Sequence, residues 1–592
     1  MICLSIHIQR HGGRRKLTTT TLTGKPSIDK PWLKYYPPGM LDQLRATHFT
    51  LNEYLRLMCP GLDVPAIHYY GTDITWAELF DLSNRIAKSL RALGIGRGDK
   101  IPVLLQSVPE FIPLLLAAEK IGACILCRDN EIHENAQAMR DAEARIMFAH
   151  SYMSQAVLDE YMDTTYVHTC ILLDPCESCS SRDIPDYIMK NLDGMYQRKC
   201  AGGDETMSWN EFLRLGDHYT GPVKVPADCM RPVYCCYTSG STGPSKQVVH
   251  SAYSMLGNLV QMNFYGAADV RPTWLVTSLP PALVSVVIAM LLLPLTSNKL
   301  LILDPWVAPE DIDLELMRYQ PNNWPMIPMF MDILVNSDRI PADYDISHIV
   351  ALGAGAEACN NTQLKRINQF LLDHKSQIQF STAFGSSESG SLTFHISGRP
   401  TGNCNVGCPM PLTTVSIFKP GTTEELSYNE VGEICVCSPG LMMGYDNPEA
   451  TARVLKVHKD NQLWYHMGDM GYMDEEGHIY TAGRGTAVRY GGGYLDILPM
   501  ENRLADANIP GIVDEFFVNI PDAKHEGYYE PYLYVVLEKG YSIDSIRKAV
   551  NAALEPYMRP TQIIQLPTRP YWHFKTNRIG LTNQVLAERQ AM

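Results

Sequence analysis

Apolar positions along the chain switch between two spacings, and the switching predicts the fold class. Between residues 74 and 93 they recur every three or four residues, with Gly94 placed to end a helix. Residues 100–105 form a short apolar run that reads as a strand, residues 111–121 return to helical spacing, and 123–127 read as a further strand. Strands alternating with helices predict parallel sheets joined by crossover helices, an α/β class. Residues 233–237, 349–352 and 377–383 also read as strands, each running into a turn of small residues. The apolar stretch 284–295 is interrupted by Ser285 and is too short to span a bilayer, so it reads as a core helix. Beyond residue 494, a strand at 532–537 and a helix at 543–554 predict a small α+β unit. Residues 170–229 are polar and weakly periodic, and predict no chemistry.

Length and composition add limits to this pattern. A chain of 592 residues is too long for one compact core and predicts two or more domains. With 45% hydrophobic and 19% charged residues it is ordinary globular protein, and its net charge of −14 argues against a nucleic-acid partner. Residues 1–30 place Arg10, Arg14, Arg15 and Lys16 after a brief apolar segment, the wrong order for a secretory signal. They read as a disordered tail, with a mitochondrial presequence as the alternative because acidic residues are absent until Asp29. Sixteen scattered cysteines, many inside apolar runs, read as small buried hydrophobes in a reducing, cytoplasmic setting. Cys176-x-x-Cys179 lacks the second pair that zinc spacing needs.

The richest chemistry lies in Tyr237-Thr-Ser-Gly-Ser-Thr-Gly-Pro-Ser-Lys-Gln-Val-Val-His-Ser251. Gly240 and Gly243 let backbone amides converge on an anion, Thr238, Ser239, Ser241 and Thr242 add hydroxyl donors, and Lys246 supplies a positive charge. Helical spacing at Met255, Leu256, Leu259 and Val260 predicts that the loop joins a strand to a helix. The spacing is not that of a Walker A loop, which disfavours a kinase-like ATPase. Further on, Gly353-Ala354-Gly355 forms a second turn of small residues, suited to close approach of a flat ligand, with Thr362 as the expected cap of the following helix. Phe384-Gly-Ser-Ser-Glu-Ser389 closes another strand, and Glu388 there suits a magnesium ion that keeps phosphate oxygens as its other ligands.

These blocks closely resemble the adenylate-forming superfamily, which includes acyl-CoA synthetases, nonribosomal adenylation domains and firefly luciferase. Val431-Gly-Glu-Ile-Cys-Val-Cys through Tyr445, the Asn447-Pro-Glu-Ala-Thr451 segment, and Trp464-Tyr-His-Met-Gly-Asp469 match later blocks in the family's order. The resemblance covers roughly residues 31–592. It implies a large domain over 31–484, a hinge at 485–493 and a small mobile domain over 494–592. It implies ATP, Mg²⁺ and coenzyme A as ligands, with Phe384 against adenine, Gly385 in the turn, Ser387 on the α-phosphate, Glu388 on magnesium, Asp469 on the ribose hydroxyls, and Arg484 on ribose or phosphate. The implied reaction joins ATP and a carboxylic acid into an acyl-adenylate, then passes the acyl group to coenzyme A. The alternatives are a ligase that loads a carrier-protein thiol and a catalytically weak nucleotide- or acyl-binding homologue.

Departures from the family pattern are equally specific. Ser245 and Gln247 flank Lys246 where relatives carry proline and glycine. Ala282 and Leu283 stand where amino-acid-activating relatives carry an aspartate, which points to an apolar, fatty-acid-like substrate because a buried ammonium needs a carboxylate. Ala487 replaces a charged pivot residue. The family's C-terminal Gly-Lys pair is missing from His573-Phe-Lys-Thr-Asn-Arg-Ile579, so its lysine role falls to Arg578, aligned on Ile579, or to Lys575, with Arg578 favoured.

Overall fold

The computed structural model describes residues 22–591 except 129–131, 181–182, 199, 201–202, 239–244, 264–270, 356, 395–401 and 573. Helix Trp76–Ala92 begins where Thr75 and Glu78 exchange side-chain and backbone hydrogen bonds, and Gly94 at φ 75° turns the chain away after it. Helix Phe111–Ile121 buries every side chain but Lys120 and ends at Gly122. It crosses between the parallel strands Lys100–Leu104 and Cys124–Leu126. These belong to an eight-stranded sheet whose spatial order continues through Pro232–Tyr237, Gln247–Ser251 and Gly444–Tyr445 on one side and Ile146–His150, Thr169–Leu173 and Thr206–Ser208 on the other. A four-stranded sheet carries Thr273–Thr277, Leu300–Asp304, Pro65–Tyr69 and Thr72–Thr75, and one apolar cluster spans both sheets.

Residues 170–229 continue the βα alternation, with helix Asp186–Tyr196, strand Thr206–Ser208 and helix Trp209–Asp217. The stretch expected as one core helix is a π-helix over Val286–Leu292 followed by a short α-helix, Leu293–Thr296, and almost all of it is buried. One feature differs from expectation near the N-terminal end. Residues 22–30, assigned above to a tail, are ordered: Ser27 donates to both Glu425 carboxylate oxygens from its amide and its hydroxyl at 2.8 Å, and Tyr428 donates to Asp29 at 2.9 Å. No described helix is long and apolar enough to cross a membrane.

A seven-stranded antiparallel sheet, including Gly432–Cys437, Leu463–Met473 and Ile479–Gly483, follows. The small domain then builds on strands Ile512–Pro521, Tyr529–Leu537 and Gln562–Gln565. Its first strand, Ile512–Pro521 at the edge of the sheet, alternates sides with the pleat. Phe517 packs with Met500 and Val550 of two helices, while Phe516 and Val518 pack with Leu581 and Val585 of the terminal helix Arg578–Ala591. Both faces of this strand are therefore covered, as in a self-sufficient α+β unit.

Candidate active site

The predicted phosphate loop joins strand to strand rather than strand to helix. Strand Gln247–Ser251 returns antiparallel to Pro232–Tyr237 before helix Ala252–Met262 begins. The adjacent apolar residues Val248 and Val249 were hidden by the helical pattern that follows. Ser239, Gly240, Ser241, Thr242 and Gly243 lie outside the described residues. At the loop's base Thr238 N–H donates to the Lys246 carbonyl at 3.0 Å, and Lys246 N–H donates to Thr238 Oγ1 at 3.0 Å. Gln247 is buried: its amide donates to Tyr237 Oη at 2.8 Å and accepts from Lys100 Nζ at 2.5 Å. The side chain that replaces the family's glycine thus bolts the return strand to its neighbours.

The second and third turns are adjacent because Gly353–Ala354 pairs in parallel with Ser381–Thr382. Gly355 continues from the first strand end, and Phe384, half-buried against the antiparallel sheet's core, from the second. Gly385 is required by the hairpin it opens, since a Cβ there would lie 2.0 Å from the Gly390 carbonyl oxygen. The helix after the first turn is capped by Asn360, not Thr362, whose hydroxyl instead donates to Glu515 at 2.6 Å.

Two residues without an assigned role complete this region. His250 is fully buried, and its Nε2 is 2.8 Å from the Ser387 carbonyl while Nδ1 is 3.2 Å from Ser254 Oγ. Burial lowers its pKa, so the ring is neutral, with Nε2–H donating and Nδ1 accepting. Tyr445 donates to Glu388 Oε1 at 2.7 Å, and the Lys246 ammonium sits 5.4 Å from the centre of its ring. Both signals were available, since His250 ends the loop segment and Tyr445 ends a family block.

Asp469 meets Arg484 at 2.8 Å. Burial pushes the Asp469 carboxyl up from its usual range, Arg484 pulls it back, and the neighbouring Glu388 charge pushes with burial. The strand that delivers Asp469 is pinned by Glu433, which accepts from His466 Nδ1 at 2.8 Å and from the Gly468 amide at 3.3 Å. Cys435 lies beside this pair, and the three donor atoms fall within 4.8 Å of one another. The glutamate and the histidine already satisfy each other.

Lys575 and Arg578 occupy different settings. Lys575 stands on a short hairpin, Tyr571–Trp572 against Lys575–Thr576, and no described residue accepts a hydrogen bond from its ammonium. Burial lowers its pKa, Glu357 opposes that, and nearby Arg484 adds to it. Arg578 is committed elsewhere: Nη1 is 2.5 Å from Glu357, Nη2 is 3.0 Å from Glu501, and Nε donates to the Phe517 carbonyl at 3.0 Å. The favoured candidate therefore has a carboxylate or a carbonyl on each nitrogen of its guanidinium. The lysine remains available near Arg484, the partner of Asp469.

Comparison with known proteins places the chain in a family. The chain is 26% identical over 561 residues to a long-chain-fatty-acid–CoA ligase of Bacillus subtilis (strain 168), covering 90% of this chain and 93% of that protein. It is 24% identical over 531 residues to 4-coumarate–CoA ligase 3 of Oryza sativa subsp. japonica, covering 84% and 85%. ATP-bound MatB from Rhodopseudomonas palustris superposes with a TM-score of 0.72 at 20% identity, over 90% of this chain and 99% of that one. The anthranilate CoA ligase AuaEII in complex with anthranoyl-AMP gives 0.74 at 15% identity, over 93% and 99%. These structures share the two-domain α/β fold. The model of the AMP-binding enzyme family matches residues 60–446, most of the chain, and this protein belongs to that family of adenylate-forming enzymes.

Proposed function

We propose that the protein activates a carboxylic acid with ATP, releasing pyrophosphate, and transfers the resulting acyl group from AMP to coenzyme A. The observation that carries this reading is the placement of Lys575, an ammonium of the small domain with no hydrogen-bond acceptor among the described residues, near Arg484 of the large domain, which in turn pairs with Asp469. A compact cation there suits the charge that builds on the carboxylate and α-phosphate as pyrophosphate leaves. Lys246 at the mouth of the loop faces the outgoing phosphates, and Ser387, held through its carbonyl by His250, offers its hydroxyl to the α-phosphate. Adenine stacks on Phe384 over the small-residue turns at Gly353, Ala354 and Gly355. Glu388 fits a magnesium ion: it is a single buried carboxylate, fixed on one oxygen by Tyr445, with hard oxygen chemistry. When bound, the ion offsets phosphate charge.

The acid we infer to be apolar. Ala282, Leu283 and Ala289 are half-exposed and Ser285 exposed along the mostly buried segment, and none brings a charge to a ligand. The named relatives act on long-chain fatty acids and on 4-coumarate, so fatty and aryl acids are both in range. The described cysteines are all free thiols, in keeping with a reducing, cytoplasmic setting. The test is acid-dependent pyrophosphate release over fatty, aryl and amino acids, with and without coenzyme A. Turnover with an apolar acid and coenzyme A is expected. A preference for free amino acids would overturn the substrate class, and loading of a carrier-protein thiol without coenzyme A turnover would favour the alternative acceptor.

A further inference from the structure

The hairpin that presents Lys575 is gripped by the large domain at several points, and one of them touches the residue next to the lysine. Glu357 follows the Gly353–Gly355 turn directly. Its Oε2 accepts from the Thr576 amide at 3.0 Å and from the Thr576 hydroxyl at 3.1 Å, and its Oε1 accepts from Arg578 at 2.5 Å. Arg578 passes the connection on to Glu501 and the Phe517 carbonyl, both in the small domain. The other grips are on residues that come before Lys575: Tyr571 donates to Asp332, and Phe574, at φ 65°, sets its ring edge-on to Phe330 with centroids 6.3 Å apart. Burial by itself would raise the Glu357 carboxyl, but Arg578 and the Thr576 amide bring it below the usual range, so it is an anion in this arrangement. A buried anion that lost Thr576 and Arg578 together would be left uncompensated, which ties its burial to this one orientation of the small domain.

We propose that Glu357 is the positioning residue for Lys575: it joins the ligand-facing turn of the large domain to the lysine hairpin and fixes where the ammonium stands during adenylation. The proposal rests on the reading that Lys575 acts in that step. Glu357 contacts the hairpin through Thr576 and Arg578, and its charge also favours the Lys575 ammonium nearby. The acyl transfer step, which needs the small domain elsewhere, does not depend on the contact.

The two half-reactions separate this role from a merely structural one. Pyrophosphate release is measured with the best acid of the panel, and transfer to coenzyme A is measured from supplied acyl-adenylate. Glu357→Gln is expected to lower the adenylation kcat about 10- to 100-fold, as expected for a misplaced catalytic group, with KM for ATP and acid nearly unchanged. Transfer from supplied adenylate should stay at the wild-type rate. In a Lys575→Ala background, Glu357→Gln should add no further loss, because the positioned group is already gone. Thr576→Ala, which leaves the Arg578 partners in place, should give a smaller loss in the same half-reaction and serves as the variant of choice if Glu357→Gln lowers Tm strongly. If both half-reactions slow together, if the Glu357 and Lys575 losses multiply, or if adenylation is unchanged in both variants, the proposal falls. A wild-type protein with no acid-dependent pyrophosphate release overturns the functional reading, and the proposal with it.

Discussion

At the residue scale the site turns on which cation has a free hand. Lys575→Ala should slow adenylation by on the order of 10²–10³, the usual consequence of removing one preorganised charge. Arg578→Ala should act differently, since it releases Glu357 and Glu501 at once: a lower Tm and a looser small domain, seen by differential scanning fluorimetry and limited proteolysis, alongside a smaller kinetic loss. Equal kinetic losses with unchanged stability would restore Arg578 to the chemistry. Sequence reasoning favoured Arg578 because Ile579 was taken to fix the register. Ile579 is 64% exposed, whereas Leu581 and Val585 pack against the small sheet. Several of the described residues named from motifs, Lys246, Phe384 and Glu388 among them, lie beside strand ends, but their partners were not legible. Tyr445 and His250 act through single hydrogen bonds to residues more than fifty positions away, which no local pattern encodes. Tyr445→Phe, which frees Glu388 Oε1, should cut pyrophosphate release about tenfold by loss of one hydrogen bond to a charged group, and should weaken its dependence on magnesium concentration. An unchanged magnesium titration would remove Tyr445 from that role.

At the element scale, the sequence was most readable where periodicity was long and the ends were marked. Helices Trp76–Ala92 and Phe111–Ile121 show both, with glycines closing them. Two-residue strands such as Gly353–Ala354 have no period to read, and the strands of 170–229 are short and interrupted by polar loops. The hinge is another such case. The hinge is expected over 485–493, and the glycines at its end close a hairpin: Arg489 N–H donates to the Gly493 carbonyl at 3.1 Å, and Arg489 Nη1 reaches the Tyr557 and Arg559 carbonyls at 3.0 and 2.6 Å. We infer that the hairpin travels with the small domain and that the pivot lies at Gly483–Arg484–Gly485, where both glycines have positive φ. A Cβ on Gly483 would lie 2.0 Å from Asp496 Oδ1, whereas one on Gly485 meets nothing closer than 3.7 Å. Gly483→Ala should thus impair adenylation and thioester formation severely. Gly485→Ala should cost about 1–2 kcal/mol of backbone strain and shift the ratio of the two rates. Gly491→Ala, at φ 66° in open space, bears the same strain but should leave that ratio alone; a shift there would return the pivot to the hairpin.

At the scale of the whole molecule, adenylation and transfer need two placements of one small domain, and the placement seen here is held by polar contacts along helix Asn361–Asp373. Asn360 donates to the Glu515 carbonyl at 2.8 Å, the Asn361 amide donates to Asn502 at 2.8 Å, and Lys365 reaches the Ala505 carbonyl at 3.2 Å. Such an interface separates more readily than an apolar one, because its groups find water again on leaving. Glu515 makes the balance depend on pH. Burial, with some help from Asp514 and Glu501, raises its carboxyl to about 8, while the Thr362 hydroxyl and Arg569 work against the shift. If undocking returns Glu515 to water, its pKa falls back to the ordinary range near 4.3, so the docked form is the one that holds the proton between those values. Docking is then favoured most fully below the lower value and loses that support as pH rises through about 8. The expected result is that interdomain distance, followed by energy transfer between labels on the two domains, grows between pH 6 and pH 9, and that the ratio of thioester formation to adenylation rises with it. Glu515→Gln keeps an uncharged group of the same shape and should hold the docked form and the rate ratio flat across that range. A wild-type distance that does not change with pH, or a Glu515→Gln variant that follows the wild-type curve, would show that the proton on Glu515 does not set the placement of the domain.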